Sequence, residues 1–151
     1  MSDAQQSAQS IVNLFLGITR YQRYLSQNIK RETGQSGRRV AILRCLIAQS
    51  PRSVGEIGEY LYVSDATVSR ILDDMETDGF VTRVRCKRDS RRVLVSPTDL
   101  GRELALRAPD NAIGLMRQRL PELPVSELEQ IESALARLWE IVQVNKSVVE
   151  R

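Results

Sequence analysis

The chain has 151 residues, 42% hydrophobic and 27% charged, with a net charge of +3 and no histidine; that length suits one compact lobe with helical arms. No apolar run could span a bilayer, because Arg44 breaks the stretch from Val40 to Ala48, and the start lacks a secretion signal, so a cytoplasmic protein without membrane contact is expected. Two cysteines make no disulfide framework, and without histidine neither a zinc site nor the usual general base is at hand, so no cofactor or metal is expected and catalysis is disfavoured.

Residues 1–10 are polar and rich in alanine, glutamine and serine, which predicts a flexible lead. Ile11, Leu14, Phe15, Ile18, Tyr21, Leu25 and Ile29 then recur at helical spacing, predicting a long amphipathic helix over 11–33 that stops at Thr33-Gly34. A second helix carries Val40, Leu43, Leu46 and Ile47 and ends before Ser50-Pro51, since the residue preceding proline resists the helical region. Ser53-Val54-Gly55-Glu56 is a capping box that opens a short helix with Ile57 and Leu61 inward. Tyr62 stands in the following turn, where glycine is common and a bulky residue strains a left-handed backbone. Ser64 N-caps the next helix, whose apolar face is Val68, Ile71, Leu72 and Met75, and Gly79 supplies its left-handed stop.

From Phe80 to Ser96 the chain is β-branched and basic, in two short runs separated by Lys87-Arg88-Asp89-Ser90. This predicts an antiparallel hairpin, with a tip longer than two residues because no glycine is present there. Arg83, Arg85, Lys87, Arg88, Arg91 and Arg92 are opposed in this stretch only by Asp89. Thr98 opens a helix through Leu104, Leu106, Ile113, Leu115 and Met116, interrupted at Pro109. Pro121-Glu122-Leu123-Pro124 is a rigid linker, after which Ser126 and Glu129 form a second capping box. They start a helix carrying Leu128, Ile131, Leu135, Leu138, Ile141 and Val142. The end segment is acidic, with Glu122, Glu127, Glu129, Glu132, Glu140 and Glu150 against Arg137, Lys146 and Arg151.

Two capped helices joined by a tight turn and followed by an arginine-dense hairpin suggest a surface for duplex DNA. The second helix of the pair presents Ser64, Ala66, Thr67, Ser69 and Arg70, small or hydrogen-bonding residues that would let it seat in a major groove. Ser53, at the start of the first helix, is a candidate phosphate contact through the free N–H groups there. The hairpin residues Arg85, Lys87, Arg88, Asp89 and Arg91 are candidate wing contacts, since a narrow minor groove concentrates negative potential and attracts arginine. The rival reading is a winged-helix module that binds proteins and not DNA; it needs no arginine-dense wing. An enzyme built on Asp73, Asp74, Glu76 and Asp78 is disfavoured, because no phosphate loop or nucleophile motif accompanies them.

The run from Ser53 through Leu61, then Val63-Ser64-Asp65-Ala66-Thr67-Val68-Ser69-Arg70, Gly79-Phe80-Val81, Asp89-Ser90-Arg91, Val93-Leu94-Val95-Ser96, Thr98 and Gly101 resembles the MarR family of winged helix-turn-helix regulators. The resemblance implies a mainly α fold with a small β-hairpin wing: a winged lobe over 36–97, a dimerisation helix over 11–33, and a linker helix with a C-terminal dimerisation helix over 98–151. It implies a homodimer that reads a pseudo-palindromic operator, the Ser64 helix entering the major groove. It also implies that Arg91 reaches the minor groove and that Asp89 orients it by a charge-assisted hydrogen bond. The dimer base would be built from Ile11, Leu14, Phe15 and Ile18 with Ile131, Leu135, Leu138, Trp139 and Val142. Such regulators answer to a small-molecule effector or an oxidant; a pocket near Tyr21 and Tyr24 would suit the former. Cys86, between Arg85 and Lys87, is the candidate redox thiol, and Cys45 reads as core.

Overall fold

A computed structural model describes residues 2–143; Lys146, Glu150 and Arg151 of the acidic end segment lie outside the described residues. The elements in order are α1 (Asp3–Thr33), α2 (Gly37–Ala48), β1 (Arg52–Ser53), α3 (Val54–Leu61), α4 (Asp65–Thr77), β2 (Val81–Arg85), β3 (Val93–Pro97), α5 (Asp99–Arg107), α6 (Ala112–Arg119), a 3-10 turn (Leu120–Glu122) and α7 (Val125–Val142). They divide into two compact units, Met1–Ala112 and Ile113–Arg151.

The core of the first unit follows the predicted apolar faces. Ile42, Leu43, Cys45 and Leu46 of α2 meet Ile57 of α3, and Val68, Leu72 and Met75 of α4. Val81, Val95, Leu104 and Ala105 close the cluster from the sheet and α5. Each large side chain removed from water there contributes about 1.5–3 kcal/mol. By contrast α1 buries only Ile29, against Val40 and Ala108, and leaves Ile11, Val12, Leu14, Phe15, Leu16 and Ile18 exposed in the single chain.

The sheet is antiparallel in the order β1-β3-β2, with Arg83 opposite Val95 and Arg85 opposite Val93. Strand β1, which pairs Arg52 with Val95 and Ser53 with Leu94, has only two residues. So short a segment carries no alternation for sequence reading to detect.

Two sequence expectations need correction. Helix α1 begins at Asp3, so residues 3–10 are helical and not a flexible lead. Ser2 supplies the reason: its hydroxyl accepts from the Gln5 N–H, and the Gln5 side chain accepts from the Ser2 N–H. Helix α7 begins at Val125 from Pro124 without a side-chain cap, so Ser126 lies inside the helix. The ring of Pro124 presets a φ of -57°, letting the turn start ahead of the serine. Leu106, in the helix that Thr98 opens, is exposed on α5.

The interruption at Pro109 is present as the gap between α5 and α6. Arg44 Nη2 donates there to the carbonyls of Ala108 (2.8 Å) and Pro109 (3.2 Å), placing a cation at the carbonyl end of α5. Gln22 of α1 accepts from the Ala112 N–H at 3.0 Å, satisfying the start of α6.

Thr98 joins α4 to α5. Its hydroxyl donates to the Gly79 carbonyl at 2.6 Å and accepts from the Gly101 N–H at 3.1 Å, while its own N–H donates to the Phe80 carbonyl. A Cβ on Gly101 would fall inside the Phe80 carbonyl oxygen and 2.8 Å from Leu43 Cδ2, so the first turn of α5 can lie against the Phe80 backbone only with glycine.

The turn between α3 and α4 is a Schellman closure. The Tyr62 N–H donates to the Glu59 carbonyl (3.3 Å) and the Val63 N–H to the Gly58 carbonyl (3.0 Å). Tyr62 takes the left-handed position, φ 55° and ψ 50°, at a cost of about 1 kcal/mol for a non-glycine residue. A Cβ on Gly58 would come within 2.9 Å of the Val63 carbonyl oxygen, so the turn folds back over a glycine but closes on a tyrosine.

Candidate nucleic-acid interface

The exposed side of α4 is the one predicted. Val68, Leu72 and Met75 are buried, which leaves Ala66 and Arg70 exposed, with Thr67 and Ser69 half-buried beside them. Ser64 caps the helix, accepting from the Thr67 N–H at 3.3 Å, and its hydroxyl lies 2.9 Å from the Thr67 hydroxyl. One hydrogen of that pair is therefore spent between the two residues, and together they offer a single free donor. The serine-x-x-threonine spacing was the visible signal for this. The Asp65 carboxylate folds back over Gly55 and Gly58 of α3.

The C-terminal half of α4 is acidic and is neutralised from two sides. Arg83 of β2 donates to Asp73 at 2.6 Å and to Glu76 at 2.7 and 2.9 Å. Those hydrogen bonds, Glu76 first and then Asp73, hold its guanidinium more firmly protonated than usual. Arg39 of α2 reaches Asp78 at 2.7 Å and Asp74 at 3.7 Å. The pleat explains Arg83: it shares a face of β2 with buried Val81, the face that packs on α4. The basic run from 83 to 92 is thus two populations, which charge counting alone could not separate.

Arg92 of that run stands 3.9 Å from Glu56. Glu56 accepts from the Ser53 N–H at 2.6 Å, and its own N–H donates to the Ser53 hydroxyl. The Ser53 N–H, then its hydroxyl, hold the Glu56 carboxyl below the usual carboxylate range, with Arg92 adding a smaller pull. Ser53 accordingly has both its N–H and its hydroxyl turned to the Glu56 carboxylate, so a phosphate there would have to take the hydroxyl hydrogen from Glu56.

The wing tip, residues 86–92, is ordered without glycine. The Asp89 carboxylate accepts from the Arg91 N–H at 3.0 Å, an Asx turn, and the Asp89 carbonyl accepts from the Arg92 N–H at 3.0 Å. Asp89 therefore holds the backbone of Arg91; its guanidinium is an ion-pair neighbour at 3.6 Å and is 93% exposed. Arg85, Lys87 and Arg88 are exposed, and with Arg70 they have no ion-pair partner among the described residues. Cys86 lies within this loop. The nearby backbone N–H groups of Asp89 and then Arg88, with a smaller pull from the Arg92 charge, lower its thiol below the ordinary range.

The residues named for a dimer base are placed on two separate units. Ile11, Leu14, Phe15 and Ile18 are exposed on α1; on α7 Leu135, Trp139 and Val142 are exposed and Ile131 and Leu138 half-buried. Tyr21 and Tyr24 stack on α1 with ring centroids 6.2 Å apart. Among the described residues no group of side chains could hold a metal ion, and no helix is long and apolar enough to cross a membrane.

The sequence pattern of the MarR family matches residues 36–93, from the start of α2 to the first residue of β3. The chain is 36% identical over 91 residues to the organic hydroperoxide resistance transcriptional regulator of Bacillus subtilis (strain 168); the matched stretch is 58% of each protein. Its fold is similar to that of the transcriptional regulator BldR from Sulfolobus solfataricus, with a TM-score of 0.65 and 23% identity, covering 91% of this chain and 99% of that one. It is also similar to reduced AbfR bound to DNA, with a TM-score of 0.63 and 20% identity over 92% of this chain and 98% of that one.

Proposed function

We propose that this chain is a regulator of the MarR family, a cytoplasmic homodimer that reads duplex DNA through α4 and the β2–β3 wing; the family pattern over residues 36–93 and the 36% identical relative support the reading. It is a regulator and not an enzyme. The observation that carries the reading is the sorting of charge on the lobe. Arg70, Arg85, Lys87, Arg88 and Arg91 face solvent, while the carboxylates of α4 are neutralised from behind by Arg39 and Arg83. Such a surface attracts a polyanion. The structural neighbour solved on DNA supports the same partner. In this reading Ser64, Ala66, Thr67, Ser69 and Arg70 meet base edges and phosphates of the major groove. Ser53 turns its hydroxyl from Glu56 to a phosphate of the duplex, and Arg91 enters the minor groove. The exposed apolar residues of α1 and α7 join two copies, so that two lobes meet two halves of a pseudo-palindromic operator.

The test is binding to the intergenic DNA beside the coding region, by fluorescence anisotropy across a salt series. Specific binding that beats random duplex, with a steep negative slope of log affinity against log salt, is expected. Weak, salt-insensitive binding to every duplex would sink the reading and promote the protein-binding module. Thr67→Ala with Ser69→Ala should narrow the gap between operator and random DNA more than it lowers overall affinity; equal loss on both would make them phosphate contacts.

The signal we propose is a small molecule or an oxidant, and the wing thiol gives the oxidant a specific target. Attack of the Cys86 thiolate on a peroxide O–O bond leaves a sulfenic acid on sulfur and releases the alcohol or water after proton uptake. The added oxygen disturbs the N–H groups of Arg88 and Asp89, and with them the loop that carries Arg91. The hydroperoxide response in the name of the Bacillus subtilis relative supports this choice of oxidant. Peroxide should lower operator affinity by about tenfold, equivalent to about 1.4 kcal/mol, and Cys86→Ser should abolish the response. Full affinity in protein whose Cys86 is verifiably oxidised would refute it.

A further inference from the structure

The turn between α3 and α4 holds a tyrosine where its backbone favours glycine. Tyr62 is the only non-glycine residue at positive φ among the described residues. The two other left-handed positions, Gly34 and Gly79, are glycines that close α1 and α4. The side chain of Tyr62 gives nothing back to the fold. It is 78% exposed, and it makes no hydrogen bond, ion pair or ring contact among the described residues. A strained position that packs nothing has its use outside the chain.

The surroundings say what that use is. Tyr62 stands two residues before Ser64, the N-cap of α4. The Asp65 carboxylate, which would repel an anion at that helix start, is turned back over α3. α4 starts three residues after Tyr62, at Asp65, and the N–H groups of its first turn carry partial positive charge. We infer that the Tyr62 phenol donates a hydrogen bond to a phosphate oxygen of the duplex at the edge of the groove that α4 enters. This rests on the DNA-binding reading above. The left-handed backbone is the cost of carrying a donor at the tightest point of the turn, where glycine would have none.

The prediction separates stability from binding. Tyr62→Gly relieves the backbone and should raise the midpoint of thermal unfolding, or leave it unchanged, within about 2–4 °C. The same change should weaken operator binding by about tenfold. Tyr62→Phe keeps ring and strain but removes the donor; it should lose a comparable share of affinity with no change in unfolding temperature. Because a hydroxyl displaces no counterion, both variants should keep the wild-type salt slope, and both should lose equally on operator and random duplex. Wild-type protein that binds DNA steeply with salt while Tyr62→Phe binds equally well overturns the phosphate contact alone. Wild-type protein that binds no duplex overturns the DNA-binding reading and this contact with it. A Tyr62→Gly protein that melts well below wild type would show that the ring serves the fold, and would overturn the inference from strain.

Discussion

Gly101→Ala is expected to destabilise the winged lobe by about 3 kcal/mol, the upper end of the cost of overpacking a core. That corresponds to a fall in unfolding midpoint of about 10 °C or more. The clash is with backbone: the new methyl would overlap the Phe80 carbonyl oxygen and press on Leu43, one of the fully buried residues of α2. Neither can step aside cheaply. The Phe80 carbonyl accepts from the Thr98 N–H, and Thr98 in turn ties Gly79 to the first turn of α5. Movement there would also disturb the end of α4 and the start of the wing. Gly55→Ala is the control. It lies in the first turn of α3 with only Asp65 at 3.9 Å, so added helix propensity should leave stability level or improve it by up to ~1 kcal/mol. Circular dichroism melts of the two variants side by side decide the matter. A Gly101→Ala protein as stable as wild type would mean that α5 docks less closely than the structure has it.

Arg91→Ala should weaken binding to operator and random duplex alike, by about tenfold, and flatten the salt slope by about 2 for a dimer, one phosphate charge per protomer. The substitution is clean for a geometric reason. The Asp89 carboxylate binds the backbone N–H of residue 91, and that bond survives the loss of the side chain, so the tip keeps its turn. The exposed guanidinium is what disappears. A salt series on both DNAs is the measurement, and an unchanged slope would place the wing away from the duplex.

Much of this was legible in the sequence. The apolar spacing of Val68, Leu72 and Met75 identified the buried side of α4 and so, by subtraction, the side that presents Arg70. The proline at 109 predicted the gap between α5 and α6. What could not be read were relations between distant residues. Six cations between 83 and 92 look alike in a string. Only the ion pairs of Arg83 with Asp73 and Glu76 set it apart from Arg85, which shares its face of β2 but has no ion-pair partner among the described residues. The same holds for Arg39, whose partners lie 35 and 39 residues away at Asp74 and Asp78. Local signals misled where two competed: Ser126 and Glu129 had the spacing of a capping box, but Pro124 had already set the backbone to turn. Residues 3–10 looked too polar to order, yet one cap at Ser2 extends the helix through them.

The two-sided neutralisation of α4 has a consequence for how such a regulator can diverge. The carboxylates from Asp73 to Asp78 are tied to Arg39 and Arg83, so a change there disturbs two other elements and must be compensated at a distance. Ala66 and Arg70 are exposed and have no such tie. On the proposed reading, mutation can therefore change what the first half of the helix contacts while leaving the lobe's fold intact. One short helix holds a segment that can change by itself and a segment that can change only together with α2 and β2.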